Sequence, residues 1–332
     1  MIQDLLSQIE TELQRQVARL DEPRTRSFHE ILTYHMGWTG EGAGQEAQGK
    51  RIRPLLVLLI CATCNADWKS ALPAAAAVEL VHNFSLVHDD IQDNSVKRRG
   101  RDSVWVRSGL PQGINAGDAL FVLSNQAILD LSHTYPVRTV VDAAKILNDT
   151  CLDLTRGQYL DMSYEQRTDL TIEDYWPMVS GKTAALLSAC CALGSLLSDV
   201  DGTTQQTYRD FGHYLGLAFQ VQDDLLGIWG DPTLTGKSAE SDLVSGKKSL
   251  PVLFGVAKNG LFARRWAKGP VRIDEVAYLS EQLAAEGARL YTEEIADQMT
   301  DLALQTLRVA DPQGEAGKEM FELVKLLLNR ET

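Results

Sequence analysis

The sequence predicts an all-α protein. Nearly every segment of its 332 residues places apolar residues at helical spacing, and none shows the alternation of a half-buried β-strand. Hydrophobic residues make up 44% of the chain and charged residues 23%, as in ordinary soluble globular proteins. No shift in composition and no linker divides the chain. We therefore expect residues 1–332 to form one large helical domain, although the length alone would allow two.

The predicted helices follow one another along the chain. Two amphipathic helices cover residues 2–20 and about 24–37, and a loop rich in Gly and Gln then reaches Gly49. A long apolar helix begins near Pro54, a residue suited to a first helical turn. Further helices are predicted at about 73–93, 111–135, 137–175 (one or two helices), 171–198, 202–230, 272–286 and 287–308. Residues 230–249 are predicted to form a loop, and loops of this length in compact domains are usually functional or mobile.

The charge and the cysteines exclude several classes of protein. A formal net charge of −13 argues against a nucleic-acid-binding protein, which normally carries a basic face. The chain has no uninterrupted run of 18 apolar residues, and its N-terminus is acidic and amphipathic. We therefore expect a cytoplasmic protein without stable membrane insertion. Five cysteines fit a reducing compartment, and the apolar run around Cys61 and Cys64 favours buried thiols over a metal site.

Three aspartates mark the end of the helix predicted at 73–93. Asp89 and Asp93 lie one turn apart on the same face, and Asp90 lies about 100° round the helix. Such close carboxylates are either a solvated helix end or ligands of a hard divalent cation, which prefers oxygen. Four basic residues follow and suggest that the cation carries phosphate: Lys97, Arg98, Arg99 and Arg101.

A second acidic pair, Asp223 and Asp224, lies near the end of the helix predicted at 202–230, with Gln220 on nearly the same face. Two carboxylate sets on apolar helices of one bundle are suited to a small cluster of Mg²⁺. Basic residues flanked by Gly or by small hydroxyl residues are suited to phosphate. They recur at Lys50, Arg53, Lys182, Lys237, Lys247 and Lys248.

Seven motifs between about residues 40 and 255 together resemble those of the trans-isoprenyl diphosphate synthases, the polyprenyl synthetase family. They are GKRIRP, HNFSLVHDDIQD, RRGR, GQYLD, SGKTA, FQVQDD and the late GK…D…KK. The resemblance implies a helical bundle around a deep central cavity (the isoprenoid synthase fold) and a homodimer. It also implies a Mg²⁺-dependent prenyltransferase, with three ions per active site, that joins isopentenyl diphosphate head to tail to a dimethylallyl, geranyl or farnesyl diphosphate.

The resemblance also assigns roles to residues. Mg²⁺ would be bound by Asp89, Asp90, Asp93, Asp223 and Asp224. The allylic diphosphate would contact Arg98, Lys182, Thr183, Gln220, Lys237 and Lys247. Isopentenyl diphosphate would contact Lys50, Arg53, His82 and Arg99. Gln158 and Asp161 match a motif in the cavity wall.

The second acidic motif departs from the family pattern, because Gly227 replaces the usual third aspartate. Asp231 or water would then complete the coordination. Two alternatives stay open: a terpene cyclase on the same fold, and a non-catalytic helical subunit that modulates a partner synthase. The intact first motif argues against the subunit.

Residues just before the first motif predict the product length. Ser85, one turn before Asp89, leaves room, whereas Phe84 provides one aromatic wall, and DDIQD contains no insertion. This combination resembles the geranylgeranyl diphosphate (C20) type, with farnesyl diphosphate as the alternative. If Phe84 is only a core residue, the cavity floor lies elsewhere, for example at Val81.

Overall fold

The computed structural model describes residues 1–230 and 242–328, and it confirms the predicted all-α class, since 79% of it is helical. Helices α1–α6 span Ile2–Val17, Arg26–His35, Gln45–Gln48, Ile52–Thr63, Leu72–Gln92 and Val104–Ser108. Helices α7–α11 span Leu110–Asp130, Val137–Tyr164, Ile172–Val179, Ala185–Leu196 and Gly202–Trp229. Helices α12–α17 span Asp242–Ser245, Leu250–Ala257, Leu261–Trp266, Val276–Ala285, Ala288–Ala310 and Gly314–Leu328. Short 3₁₀ turns lie at Ala18–Leu20, Trp68–Ala71, Leu131–His133 and Ile273–Glu275.

The chain forms two compact units. Unit 1 comprises Met1–Asp149, Ala189–Gln205 and Pro312–Met320. Unit 2 comprises the described parts of Thr150–Ser188, Gln206–Asp311 and Phe321–Thr332. The single domain expected for residues 1–332 stays a prediction.

Unit 1 is built on α4, α5 and α7. The apolar stretch Leu55–Cys61 of α4 is buried, and α5 packs against both α4 and α7. Two glycines of α7 allow a close approach to α5. A Cβ at Gly113 would lie 3.0 Å from Ile91 Cδ1, and a Cβ at Gly117 would overlap the His88 ring. This packing fixes the end of α5, which carries the first aspartates.

Unit 2 has an apolar core formed by α9, α11, α13 and α16, with Tyr175 and Leu225 among its buried residues. Helix α9 begins at a capping box in which the side chains and backbones of Thr171 and Asp174 satisfy one another. A π-helical turn at Ser180–Ala184 joins α9 to α10, just after Pro177, whose ring removes a backbone donor. Such π turns are frequent at functional sites.

The basic stretch after α5 contains two short strands, although the sequence predicted none. Strand β1 (Lys97–Arg98) pairs antiparallel with strand β2 (Arg101–Asp102). The turn between them is possible because Arg99 and Gly100 both have positive φ, at 51° and 75°. Two consecutive positive φ angles are typical of a tight hairpin turn whose twist matches the strands.

Two loop predictions were wrong in detail. Residues 45–48 form α3, and residues 242–245, within the predicted loop 230–249, form α12. The predicted ligands Asp231 and Lys237 lie outside the described residues. The other helix boundaries agree with the predictions to within a few residues, apart from the single helix considered for 137–175, which is two helices.

Two helical segments, Trp68–Gln92 and Ile172–Leu196, are long and apolar enough to span a membrane. However, 61% and 67% of their apolar windows are buried within the fold, as in core helices of soluble proteins. Cys61 is buried and donates to the Gly194 carbonyl at 3.3 Å, which confirms the expectation for this thiol, whereas Cys64 is half-buried.

Candidate functional site

The first acidic motif lies at the C-terminal end of α5 in unit 1. Asp93 follows the last helical residue, and its N–H donates to the Asp89 carbonyl at 2.8 Å. Asp89 is partly exposed and Asp93 exposed, whereas only 2% of the Asp90 side chain is exposed. The helical geometry thus separates the three aspartates into an accessible pair and a buried residue.

Asp90 is paired with Arg98 of the hairpin. Arg98 donates from Nε and Nη2 to Asp90 Oδ1, at 2.9 and 2.6 Å, and its Nη2 also lies 3.3 Å from Asp89 Oδ2. Burial raises the pKa of Asp90, and Arg98 opposes that shift. Arg98, predicted to contact diphosphate, therefore also positions the first motif.

A cluster of basic groups surrounds His82 in unit 1. Arg99 Nη1 donates to the carbonyls of Ala47 and Gln48, each at 2.8 Å. Burial and the neighbouring arginines, with Arg53 foremost, lower the pKa of His82 well below its ordinary value. Burial also lowers the pKa of both Arg53 and Arg99.

Two buried nitrogens of this cluster lack partners. Neither Arg53 Nε nor His35 Nε2 makes a hydrogen bond to the described residues. Burial, together with Arg99 and Arg98, lowers the pKa of His35 to about 3, so its imidazole is neutral. Lys50, three residues before Arg53 in the sequence, is exposed. Mutually repelling cations with unpaired buried donors are suited to an anionic ligand.

Arg51 organises the GKRIRP motif without belonging to the predicted site. It has a φ of 49°, and its guanidinium donates to Glu10 Oε1 at 2.5 Å and to Glu79 Oε1 at 2.8 Å. Only 2% of its side chain is exposed. The turn at Arg51 sends this side chain into the core, while Lys50 and Arg53, its neighbours in the sequence, remain the candidate ligands.

The predicted chain-length residues lie one to two turns before Asp89. Phe84 is half-buried, and its ring centroid lies 5.3 Å from that of Phe121 on α7. Ser85 Oγ donates to the His82 carbonyl at 2.7 Å, and Val81 is buried. Phe121 is an addition that the sequence did not reveal, because it comes from another helix.

The second acidic motif, in unit 2, contains one buried and one half-buried carboxylate. Asp224 is 1% exposed, and Oδ2 accepts from the Tyr175 hydroxyl at 2.8 Å and from the Leu250 N–H at 3.0 Å. Its Oδ1 accepts from Gln220 Nε2 at 3.0 Å. Burial nevertheless raises the pKa of Asp224 to about 6. Asp223 is the half-buried member of the pair.

Gln220 connects the second motif to the π-helical turn. Its Oε1 accepts from Thr183 Oγ1 at 2.7 Å, so one amide links Thr183 to Asp224. Thr183 and Gln220 were both predicted as substrate contacts. The hydrogen bond between them shows that each side chain also holds the other in position.

Lys182 of the π-helical turn is paired with Asp161 of α8, with 2.5 Å between Nζ and Oδ2. The two motifs approach closely because both carry glycine. A Cβ at Gly157 would lie 2.6 Å from the Gly181 carbonyl carbon, and a Cβ at Gly181 would lie 2.9 Å from Gly157 Cα. The GQYLD and SGKTA motifs thus pack directly against each other.

The carboxylates suit Mg²⁺, but only together with an anionic ligand. Within residues 1–230 and 242–328, no group of three or more His, Cys, Asp or Glu side chains is arranged to bind a metal. The accessible oxygen donors are instead Asp89 with Asp93 in unit 1 and Asp223 in unit 2. Mg²⁺ is usually bound by one or two carboxylates plus substrate phosphates, so the donors of each unit, taken by themselves, fit the ion.

Several residues that shape the site were not found from the sequence. Tyr175, Phe121 and Arg51 are separated from their partners by 28 residues or more. Helical spacing relates residues only three or four positions apart, so no periodic signal could identify these pairs.

The comparisons with known proteins are consistent over almost the whole chain. The polyprenyl synthetase family model matches residues 43–281. A (2E,6E)-farnesyl diphosphate synthase from Mycobacterium tuberculosis is 37% identical, with 96% of this chain and 89% of that protein aligned. A geranylgeranyl diphosphate synthase from the same organism is 36% identical, over 96% and 90%. The crystal structure of a polyprenyl synthetase from Streptomyces coelicolor A3(2) matches with a TM-score of 0.87 and 35% identity, over 98% of both chains.

Proposed function

Since the chain belongs to the polyprenyl synthetase family, and is a prenyltransferase that makes short-chain prenyl diphosphates, we propose that it makes geranylgeranyl diphosphate (C20). In this reaction isopentenyl diphosphate adds head to tail to an allylic diphosphate, with Mg²⁺ as the cofactor. We further propose a cytoplasmic enzyme.

The allylic diphosphate is assigned to the accessible carboxylates and their neighbouring cations. Asp89 and Asp93 present oxygens one turn apart, which suits Mg²⁺ shared with phosphate oxygens. Asp223 provides the corresponding donor of the second motif, and Asp90 and Asp224 support these residues from buried positions. The proposed cationic and amide contacts are Arg98, Lys182, Thr183, Gln220, Lys237 and Lys247.

Isopentenyl diphosphate is assigned to the basic cluster of unit 1. The observation that supports this assignment is the unpaired, buried Arg53 Nε beside His82 and Arg99. A diphosphate would supply the missing acceptors and offset the mutual repulsion of the cations. Lys50, at the exposed end of the same motif, completes the proposed set.

The residues of the chain then act through charge and shape. When bound, Mg²⁺ would stabilise the charge that develops on the leaving diphosphate. Arg98 and Lys182 assist that stabilisation, because guanidinium and ammonium groups bind phosphate oxygens as the allylic C–O bond breaks. The double bond of isopentenyl diphosphate then attacks the allylic carbon, and the proton that is lost passes to the released diphosphate.

The proposed chain length depends on Phe84 and its neighbour Phe121. Their packed rings are suited to form the floor against which the growing prenyl chain ends. Ser85 is small and turns its hydroxyl back to the helix backbone, so it leaves space one turn before Asp89. An aromatic pair at this depth favours C20 over longer products.

Product analysis tests this proposal directly. The enzyme is supplied with isopentenyl diphosphate, Mg²⁺ and a C5, C10 or C15 allylic primer, and the products are separated by chromatography. We expect C20 from each primer and longer products from Phe84→Ala. Phe254→Ala, which removes a ring stacked on Tyr291 in unit 2, is the control and should leave the length unchanged.

Three outcomes would contradict the proposal. A wild-type enzyme that stops at C15 would be a farnesyl diphosphate synthase. Hydrocarbon from a C15 or C20 allylic diphosphate without isopentenyl diphosphate would indicate a terpene cyclase. An unchanged product distribution in Phe84→Ala would move the floor to another residue, such as Val81.

A homodimer is also proposed. Helix α7 and the start of α8 in unit 1 expose a set of large apolar side chains, which include Val122 (54% exposed), Leu129 (57%) and Val137 (75%). Large apolar side chains left exposed on neighbouring elements are a reason to look for a protein interface there. Sedimentation of the wild type and of Leu129→Asp would test the dimer, and a wild-type monomer would refute it.

A further inference from the structure

Unit 2 contains a cavity of about 520 Å³ that is lined by none of the residues assigned above to Mg²⁺ or to substrate. It lies where helices α12, α13 and α14 meet the segment 165–170, which follows α8. Packed protein interiors leave few voids larger than a water molecule, whereas pockets for small ligands usually measure about 300–1,000 Å³. The cavity is therefore large enough for a small molecule.

The walls of this cavity are mainly apolar. Leu243 and Val252 are fully buried and Val271 is 5% exposed, and all three belong to an apolar core that also contains Phe262. A molecule that fills the cavity must therefore be largely apolar as well. The apolar side chains that line it include Leu170, Leu243, Val252, Val256, Trp266 and Val271.

Hydrogen bonds hold parts of the wall in place. Arg265 of α14 donates to the carbonyls of Gly269 and Pro270, at 3.1 and 3.0 Å. In the segment after α12, the Lys247 N–H donates to the Asp242 carbonyl at 3.1 Å. The cavity is thus shaped by the fold itself and is formed before any ligand binds.

The two lysines of the GKKS segment have different surroundings. Lys247 Nζ lies 3.9 Å from Asp242 Oδ2, and Asp224 and Asp223 also attract its charge. Lys248 instead lines the cavity, where its Nζ lies 5.1 Å from the centroid of the Trp266 ring. Lys247 therefore belongs to the second acidic motif, and Lys248 belongs to the cavity.

The ammonium of Lys248 lacks an anionic partner. Within the part of the chain that the structure describes, it makes no hydrogen bond and no ion pair. Arg167, the other cation in the lining, is by contrast paired with Asp169 at 2.8 Å. Burial lowers the pKa of Lys248, and the charge of Glu165 opposes that shift. A half-buried ammonium beside apolar walls is suited to an anionic group whose remaining part is apolar.

We propose that this cavity binds a small amphiphilic anion. The carboxylate or phosphate of the ligand pairs with Lys248, and its apolar part lies against Trp266 and Val256. Lys248 is the basic residue that the sequence marked as suited to phosphate and that the prenyl-transfer site leaves unused. The site is distinct from the prenyl-transfer site, so the proposal does not depend on the proposed function.

Calorimetry with decanoate and decyl phosphate tests the proposal, and decanol serves as the neutral probe. The titrations are made below the micelle concentrations of the probes, with Mg²⁺ and excess geranyl diphosphate but without isopentenyl diphosphate. The geranyl diphosphate then occupies the prenyl-transfer site and no chain is elongated. At least one of the two anions should saturate a single site per chain, and decanol should bind about tenfold more weakly.

Two variants separate the contributions of charge and shape. Lys248→Gln should weaken binding of the anion about tenfold and leave decanol binding unchanged, because only the charge is removed. Val256→Phe, which fills the cavity from a half-buried position, should abolish binding of both the anion and decanol. If Val256→Phe does not fold, the selective effect of Lys248→Gln still decides the test.

Lys258→Gln is the matched control. Lys258 also lies over an aromatic ring of unit 2, with its Nζ 4.8 Å from the Phe254 centroid, but it is exposed and does not line the cavity. This variant should bind the anion like the wild type.

Three results would overturn the proposal. The first is that neither anion saturates a single site in the wild type, which would leave the cavity to a protein partner. The second is that Lys248→Gln binds the anion as tightly as the wild type does. The third is that raising the geranyl diphosphate concentration displaces the anion, because the anion would then be bound in the prenyl-transfer site.

Discussion

Replacing Tyr175 with Phe should destabilise the metal-free enzyme more at high pH than at low pH. The Tyr175 hydroxyl donates to Asp224 Oδ2 at 2.8 Å, and both side chains are 1% exposed. Burial raises the pKa of Asp224 from 3.8 to about 6. A raised carboxyl pKa means that the protonated form favours the folded state. This contribution is complete below about pH 4 and is lost as the pH rises through 6.

The size of the effect follows from the hydrogen bond that is removed. A hydrogen bond to a charged group contributes about 1.5–3 kcal/mol, and one pKa unit corresponds to about 1.4 kcal/mol. The variant should therefore raise the pKa of Asp224 further above its ordinary value, because the ionised carboxylate loses a donor. Tyr175→Phe should lower the free energy of unfolding by about 1.5–3 kcal/mol at pH 8.5. At pH 5, where the carboxyl is protonated, the loss should be about 1 kcal/mol.

Urea unfolding at both pH values measures the difference. Tyr291→Phe is the control, since it removes only the hydroxyl from a ring that stacks on Phe254 in the same unit. Its effect should be the same at pH 5 and pH 8.5. Equal losses at the two pH values in Tyr175→Phe would refute the argument, because they would show that the hydroxyl does not stabilise an ionised Asp224.

Two other predictions concern packing and charge away from the aspartate motifs. Burial opposes ionisation of Asp130, but hydrogen bonds from three side chains near the end of α1 outweigh it and lower its pKa to about 2. Asp130→Asn should lower the free energy of unfolding by about 2 kcal/mol at pH 7, as measured by urea titration. This loss should shrink below pH 3, where the wild-type carboxylate becomes protonated, and a loss that stays constant with pH would contradict the prediction. Gly181→Ala should lower the free energy of unfolding by about 1–3 kcal/mol, because the new Cβ would lie 2.7 Å from the Asp153 carbonyl oxygen. An unchanged thermal unfolding temperature would be inconsistent with that clash.

The sequence predicts the helices well, because their apolar periodicity extends over many residues. The β1–β2 hairpin was missed for the opposite reason. Strands of two residues are too short to show alternation, and an arginine at positive φ is not an expected turn residue. The exposure of Asp89 against the burial of Asp90 follows from helical geometry alone, once one face of α5 is packed against its neighbours.

The partners of the site residues are less predictable than the residues themselves. Lys182 with Asp161, and Tyr175 with Asp224, are 21 and 49 positions apart. Which residues of different helices meet is decided by packing, here by glycine contacts such as Gly157 against Gly181. A motif therefore indicates the chemistry of a residue, while its ion-pair partner depends on tertiary structure.

These ion pairs imply that metal and diphosphate compete with groups already inside the protein. Arg98 is paired with Asp89 and Asp90, so its guanidinium competes with a Mg²⁺ ion for these carboxylates when no diphosphate is present. When both arrive together, the metal takes the carboxylates and the phosphate takes the arginine. We therefore predict that Arg98→Gln binds Mg²⁺ alone more tightly than the wild type, although it binds diphosphate more weakly.

Calorimetric titration of the metal-free protein with Mg²⁺ measures this directly, without the complication of metal–diphosphate association in solution. Arg138→Gln is the matched control, because Arg138 makes an exposed ion pair with Asp142 at 2.9 Å and should leave the Mg²⁺ affinity unchanged. Removal of a competing cation can only increase the affinity of carboxylates for a metal if those carboxylates bind it. An Arg98→Gln variant with unchanged or weaker Mg²⁺ binding would therefore argue against Asp89 as a metal ligand.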